Sequence, residues 1–144
     1  MAATAFFKIT SALIAVLSAA PPVSSNIYRA RDRHVPEKNG TALNVQFNGA
    51  LPEEGAINGA PVDWRSKFTV ECFARSTTLG GDAAVDPLVL EVFRRIAADT
   101  TLGGLVSHVG YPLIEAEYTA EGDRTGWVCM TYPVEHRTTD LILE

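Results

Sequence analysis

The residue types that most often carry chemistry are present but scattered. His34, His108 and His136 lie far apart, and none belongs to an HxxxH or HExxH pattern. Zinc ligands normally come in close pairs, so this spacing argues against a metal site. Cys72 and Cys129 form no CxxC and read as small buried residues, where a thiol is inert. Glu115 and Glu117 stand two apart, on one face of a strand, with Glu121 and Asp123 beyond. Paired carboxylates can exchange protons or hold a cation. Without a cleft around them, the pattern reads as a solvated hairpin. Serines are plentiful, but the GxSxG elbow is absent. Gly80-Gly81 and Gly103-Gly104 fit neither GxGxxG nor a phosphate loop. No catalytic, cofactor or metal constellation is expected, and the chain does not read as an enzyme.

The elements that would position these residues are clearer. In residues 82–99, Val85, Leu88, Val89, Val92, Phe93 and Ile96 recur at the spacing of one helix face, and Glu91, Arg94, Arg95 and Asp99 fall opposite. The helix starts either at Asp86-Pro87, an N-cap oxygen before a residue needing no N–H, or one turn earlier at Asp82. Burying that stripe would contribute about 9–18 kcal/mol gross, so the helix must lie on something apolar. Residues 64–75 supply a candidate. Trp64, Ser66, Phe68, Val70, Cys72 and Ala74 face one way; Arg65, Lys67, Thr69, Glu71, Phe73 and Arg75 face the other. That is the two-residue period of a sheet with one covered face.

Residues 5–19 form a first helix through Phe6, Ile9, Leu13, Val16 and Leu17, stopped by Pro21-Pro22. The same stretch admits a second reading as a signal peptide, with one lysine, an interrupted apolar run and Ser18-Ala19-Ala20 or Val23-Ser24-Ser25 as a cleavage site. Residues 27–33 alternate as a short strand with Arg29, Arg31 and Arg33 on one face, and residues 42–47 form another. Residues 49–61, rich in Gly, Pro and Ala, read as a long loop suited to contact with another chain. Residues 113–118 and 125–134 pair as a hairpin, with Val128, Met130, Tyr132 and Val134 on one side and Trp127 and Cys129 on the other. The tail, residues 138–144, ends in Leu141-Ile142-Leu143, which could add a strand or dock on a neighbour. Together these imply one α+β domain, with an antiparallel or mixed sheet of about four to five strands and helices packed on one face.

At 144 residues and 47% hydrophobic, the chain can build an ordinary core. A net charge of −5 argues against a general nucleic-acid binder. Nothing approaches the ~18 consecutive apolar residues of a membrane span.

The order of elements carries a resemblance. A first helix and a strand pair with a long loop are followed by WRSKFTVECFARS. That strand leads through GGDAAVDPLVLEVFRRIAADTTLGG into YPLIEAEYTAEGDRTGWVCMTYPVEHRT. This succession resembles the tail terminator proteins of long-tailed bacteriophages, also called minor tail or tail completion proteins. The close Tyr132-Pro133-Val134-Glu135-His136-Arg137 looks like the Tyr-x-Val-x-Tyr-Arg ending of such proteins, with His136 in place of the second tyrosine. The resemblance implies a structural virion protein that closes as a homohexameric ring on the finished tail tube. Such a ring stops tube elongation and offers a joining surface to the head connector. It implies a tail-tube protein, a head–tail connector and further copies of the chain as partners. It implies no enzyme activity, cofactor, specific nucleic acid or membrane. The setting it implies is the head-proximal end of the virion tail, and the host cytoplasm during assembly.

A head-to-tail ring needs two different complementary patches on each subunit. Arg29, Arg31, Arg33, Arg65 and Lys67 are the basic candidates; Glu53, Glu54, Glu115 and Glu117 are the acidic ones. The alternative is a secreted or periplasmic binding domain with residues 1–25 as its signal peptide. A third reading is a small enzyme or nucleotide-binding domain whose site has no recognisable motif.

Overall fold

Two helices, α1 (Ala5–Ser18) and α2 (Gly81–Ala98), lie on one face of a six-stranded mixed sheet. The computed structural model describes residues 3–30, 40–53, 61–119, 124–139 and 143–144. The strands are β1 (Ile27–Arg29), β2 (Thr41–Pro52), β3 (Val62–Ser76), β4 (His108–Val109), β5 (Leu113–Thr119) and β6 (Arg124–Thr138). Their order is β1-β2-β3-β6-β4, and β5 also pairs with β6. Because β3 occupies one side of β6 along its whole length, β4 and β5 share the other side. The α+β class and the helices on one face are as the sequence led us to expect. The strand beyond the expected four to five is β4, two residues that bond to the end of β6 and carry no local pattern of their own.

The alternation of β3 decides the core. Phe68, Val70, Cys72 and Ala74 are buried on the helix side, level with Leu43 and Val45 of β2 and with Val128, Met130 and Tyr132 of β6. Onto them pack Ile9, Leu13 and Leu17 of α1 and Val85, Leu88, Val92 and Ile96 of α2. A reading of residues 1–25 as a removable signal would strip this α1 side of the core. Cys72 faces the core as expected, and burial pushes its thiol up to about 12, where it is unreactive.

α2 begins at Gly81, after Gly80 as N-cap, so Pro87 lies inside the helix rather than at its start. The ring of Pro87 removes only the bond to the carbonyl of Ala83, on the exposed flank. The early start depends on two glycines. A Cβ on Gly81 would stand 2.2 Å from the carbonyl oxygen of Thr125, and one on Gly126 would stand 2.0 Å from that of Gly81. The first turn of α2 thus rests directly on the backbone of β6, a contact only glycine permits. Of the expected apolar stripe, Phe93 is an exception: it is 36% exposed, at the edge of the helix facing β5.

Arg95, expected on the solvent side of α2, turns inward. Its guanidinium donates to the carbonyls of Val16 and Leu17 at 3.3 Å, of Ala19 at 2.7 Å and of Pro21, and it also bonds Glu91 at 3.1 Å. The last turn of any helix leaves carbonyls without partners; here the other helix supplies them.

Three further expectations are corrected. The strand at 27–33 is described only as Ile27–Arg29, and it runs parallel to β2. Ala30, at φ 49°, turns the backbone away at that point. Arg31 and Arg33 lie outside the described residues. The loop at 49–61 is shorter than expected, because Gly49–Pro52 belong to β2. A register shift between Phe47 and Gly49 accommodates Asn48, and Gly49 takes φ 134°, which lets the ladder to β3 continue. Residues 54–60, Glu54 among them, lie outside the described residues. Finally, Thr138 ends β6 instead of opening a tail. Leu141 and Ile142 are outside the described residues, while the Leu143 carbonyl accepts from the Ala5 N–H at 2.6 Å, within the same chain.

Candidate interaction surface

Two helices, each about 10 Å across, can cover about four strands spaced about 4.8 Å apart. α1 packs over β1 and β2, and α2 over β3 and β6. Among the described residues, β5 therefore has no helix over it and meets only the edge of α2. All seven of its residues are exposed, although they alternate as regularly as those of β3. Register places Leu113, Glu115, Glu117 and Thr119 on the open side of the sheet, and Ile114, Ala116 and Tyr118 on the helix side beyond α2. Ile114 and Tyr118 are about half exposed, as is much of Phe93 on α2, and Tyr111 projects almost fully. Between α2 and this end of the sheet runs a cavity of about 190 Å³, lined by Phe93, Ile96, Ala97, Val109, Tyr111 and Tyr132.

The open face of the sheet is polar at β2 and acidic at β5, with aromatic residues between them on β3 and β6. Asn44 donates to Gln46 at 3.3 Å and to Glu71 at 3.4 Å, Gln46 donates to Asn48 at 3.1 Å, and Asn48 donates to Thr69. Further across lie Phe73, with Arg75 5.0 Å over its ring, and Trp127. Cys129, expected to be buried, is instead half-buried on this open face, between Glu71 and Glu115. Partial burial, then those two carboxylates, raise its thiol.

The described charge candidates lie in different parts of the surface. Arg65 bonds Glu53 at 3.1 Å in its own chain, so a basic and an acidic candidate neutralise each other. Arg29 lies 4.1 Å over the ring of Phe7 and donates to Ser11, on the outer flank of α1. Lys67 is exposed on the open face, level with Gly49 and Pro133. Glu53 is not near Glu115 and Glu117. It lies at the Asp63–Arg137 end of the sheet, about 26 Å along β6 at 3.3 Å per residue. Glu115 and Glu117 do share a face, as expected, and make no ion pair among the described residues.

Sequence reasoning missed one polar pair. Ser66 Oγ and His136 Nε2 are 2.6 Å apart, both almost fully buried. Phe6 covers them, its ring edge-on to His136 at 5.4 Å and to Trp64 at 5.6 Å, and stacked on Phe47 at 4.5 Å. His136 is therefore a core residue rather than a surface one. Burial lowers its pKa and favours the neutral ring. Nδ1 has no partner, so the pair lacks the orienting third group of a nucleophile–base triad among the described residues. Both residues are almost fully buried. His136 borders an open, polar recess of about 490 Å³, lined also by Glu53, Asp63, Trp64, Glu135 and Arg137. Within it Arg137 holds Asp63 through bonds of 2.7 and 3.2 Å, which lowers the Asp63 carboxyl.

No protein-family model matches the chain, and no curated protein matches it. The surface is thus read from its own chemistry. No group of three or more His, Cys, Asp or Glu residues is placed to hold a metal among the described residues. No described helix is long and apolar enough to cross a membrane.

Proposed function

We propose that this chain is a structural protein of a phage tail, of the terminator type. It closes as a ring on the finished tail tube, stops elongation and presents a surface to the head connector. One observation supports the reading: among the described residues the sheet ends in two unlike edge strands, β1 on one side and β5 on the other. Free edges invite pairing with another chain, and unlike edges on one subunit generate a head-to-tail contact, which closes into a ring when the rotation allows. The element order that resembles terminator proteins adds support. The work is done by surfaces, with no bond made or broken.

The test is tube assembly. Tail-tube protein of the same phage is polymerised with and without this chain, and tube lengths are measured by electron microscopy. Shorter tubes of bounded length, bearing an added ring at one end, are expected. An unchanged length distribution, with the chain left in the unbound fraction, would sink the proposal.

A further inference from the structure

We propose that His136 and the first turns of α1 form a pH-sensitive latch: a proton on His136 frees the Phe6 end of α1 from the sheet, while the Arg95 end stays attached.

The two ends of α1 are held very differently. Beyond its C-terminal end, Arg95 donates to the carbonyls of Val16, Leu17, Ala19 and Pro21. At its N-terminal end, the described backbone link to a distant part of the chain is a single bond, from the Ala5 N–H to the Leu143 carbonyl at 2.6 Å. The Thr4 cap accepts from the Phe7 N–H at 3.2 Å, within the helix's own terminus. Side-chain packing supplies the rest: Ala5 and Ile9 are buried, and Phe6 stacks on Phe47 and stands edge-to-face with Trp64 and His136. A helix fastened so unequally opens first from its looser end.

The imidazole is placed to act on that end. Its Nε2 lies 2.6 Å from Ser66 Oγ, and its buried Nδ1 has no partner. A second ring proton would make both nitrogens donors, and the Nδ1–H would then be buried without an acceptor. The charge would also stand near the N-terminal end of α1, where the helix dipole is positive and the first turn has no acidic residue to offset it. Both costs fall away when Phe6 lifts and water reaches Nδ1. The open form therefore takes up the proton more readily than the closed one, and opening gains as pH falls below the ordinary 6.5.

The charged groups around the ring do not supply the missing acceptor. Asp63 is held by Arg137, and Glu53 by Arg65. Glu135, the neighbour of His136 on β6, is exposed, as is His108 opposite it on β4. α1 brings Lys8, and Glu144 follows the Leu143 that bonds Ala5. None of them bonds Nδ1.

The experiment is residue-resolved amide exchange on the full chain at pH 7.5 and pH 5.0, corrected for the intrinsic pH dependence of exchange, with and without about 1 M urea. At the lower pH, protection of the Ile9, Thr10 and Ser11 amides should fall about tenfold, and urea should barely change it, which marks local opening. His136→Gln, which keeps a polar group near Ser66 but cannot take the proton, should remove most of that fall. Phe6→Ala tests the cover without touching the ring: followed by NMR, its His136 should titrate closer to the ordinary 6.5 than in the parent. Circular dichroism verifies that each variant is folded, and Phe6→Ala decides alone if His136→Gln is not. An equal fall in parent and His136→Gln would overturn the latch. So would a fall that deepens with urea as the β3 amides do, which is global unfolding, or a His136 midpoint unmoved by Phe6→Ala.

Discussion

Strands β3 and β5 are written in the same code and end in opposite states. Both alternate apolar and polar residues, yet β3 buries Phe68, Val70 and Cys72 completely while nothing on β5 is buried. β3 has a strand on each side and a helix above. Among the described residues β5 pairs with β6 alone and meets only the edge of α2. Alternation therefore specifies which side of a strand is apolar. Whether that side is covered depends on how many helices the chain has to lay over the sheet.

Substitutions should divide along the same line. Leu13→Ala, under the fully covered half, removes a side chain with no exposed surface and leaves a cavity. A loss of about 2–5 kcal/mol is expected, read from the midpoint of urea unfolding. Gly126→Ala comes next. Its Cβ would collide with backbone atoms of Gly81, which cannot rotate aside as a side chain would. Separating α2 from β6 should cost about 1–3 kcal/mol. Arg95→Met keeps the apolar stem but leaves the carbonyls at the end of α1 without their donor. About 1–2 kcal/mol is expected, with faster amide exchange in the last turn of α1.

A pH dependence belongs to the covered half as well. His136 is buried, and burial depresses its pKa below the ordinary 6.5. The unfolded chain binds the proton more readily, so this contribution to stability is complete above pH 6.5 and declines as pH falls below it. Unfolding midpoints at pH 8 and pH 5 should differ less in His136→Gln than in the parent. An equal dependence in both proteins would show that His136 is not the titrating group.

The legible part of the fold was whatever depends on near neighbours in sequence. The α2 stripe, the faces of β3 and β6, and the β5–β6 hairpin all repeat within a few residues. What escaped was set by distant partners. Ser66 and His136 lie 70 residues apart, and neither position has a pattern that singles it out. Arg95 looked like a solvent-side residue because its four carbonyl partners lie at the end of α1 and just after it, more than 70 residues away. β4 is a strand only because the end of β6 offers it a bond. The interface candidates were chosen by charge alone. That rule found Glu115 and Glu117, but it could not foresee that Arg65 and Glu53 would pair with each other.

The smallest effect on stability is expected at β5, and it is the sharpest test of the contrast. Ile114 is half exposed, so its replacement by serine removes contacts the isolated chain barely makes. Ile114→Ser should leave the unfolding midpoint within about 0.5 kcal/mol of the parent. The measurement belongs at micromolar concentration or below, where the chain is dissociated, because assembly would stabilise the folded form by mass action. A loss of 2 kcal/mol or more, on the scale of about 2–5 kcal/mol for emptying a core site, would mean that β5 is packed in the single chain after all. The argument from unroofed strands would then fail. A null effect on the monomer, beside weakened assembly at higher concentration, would place the burial of Ile114 between subunits.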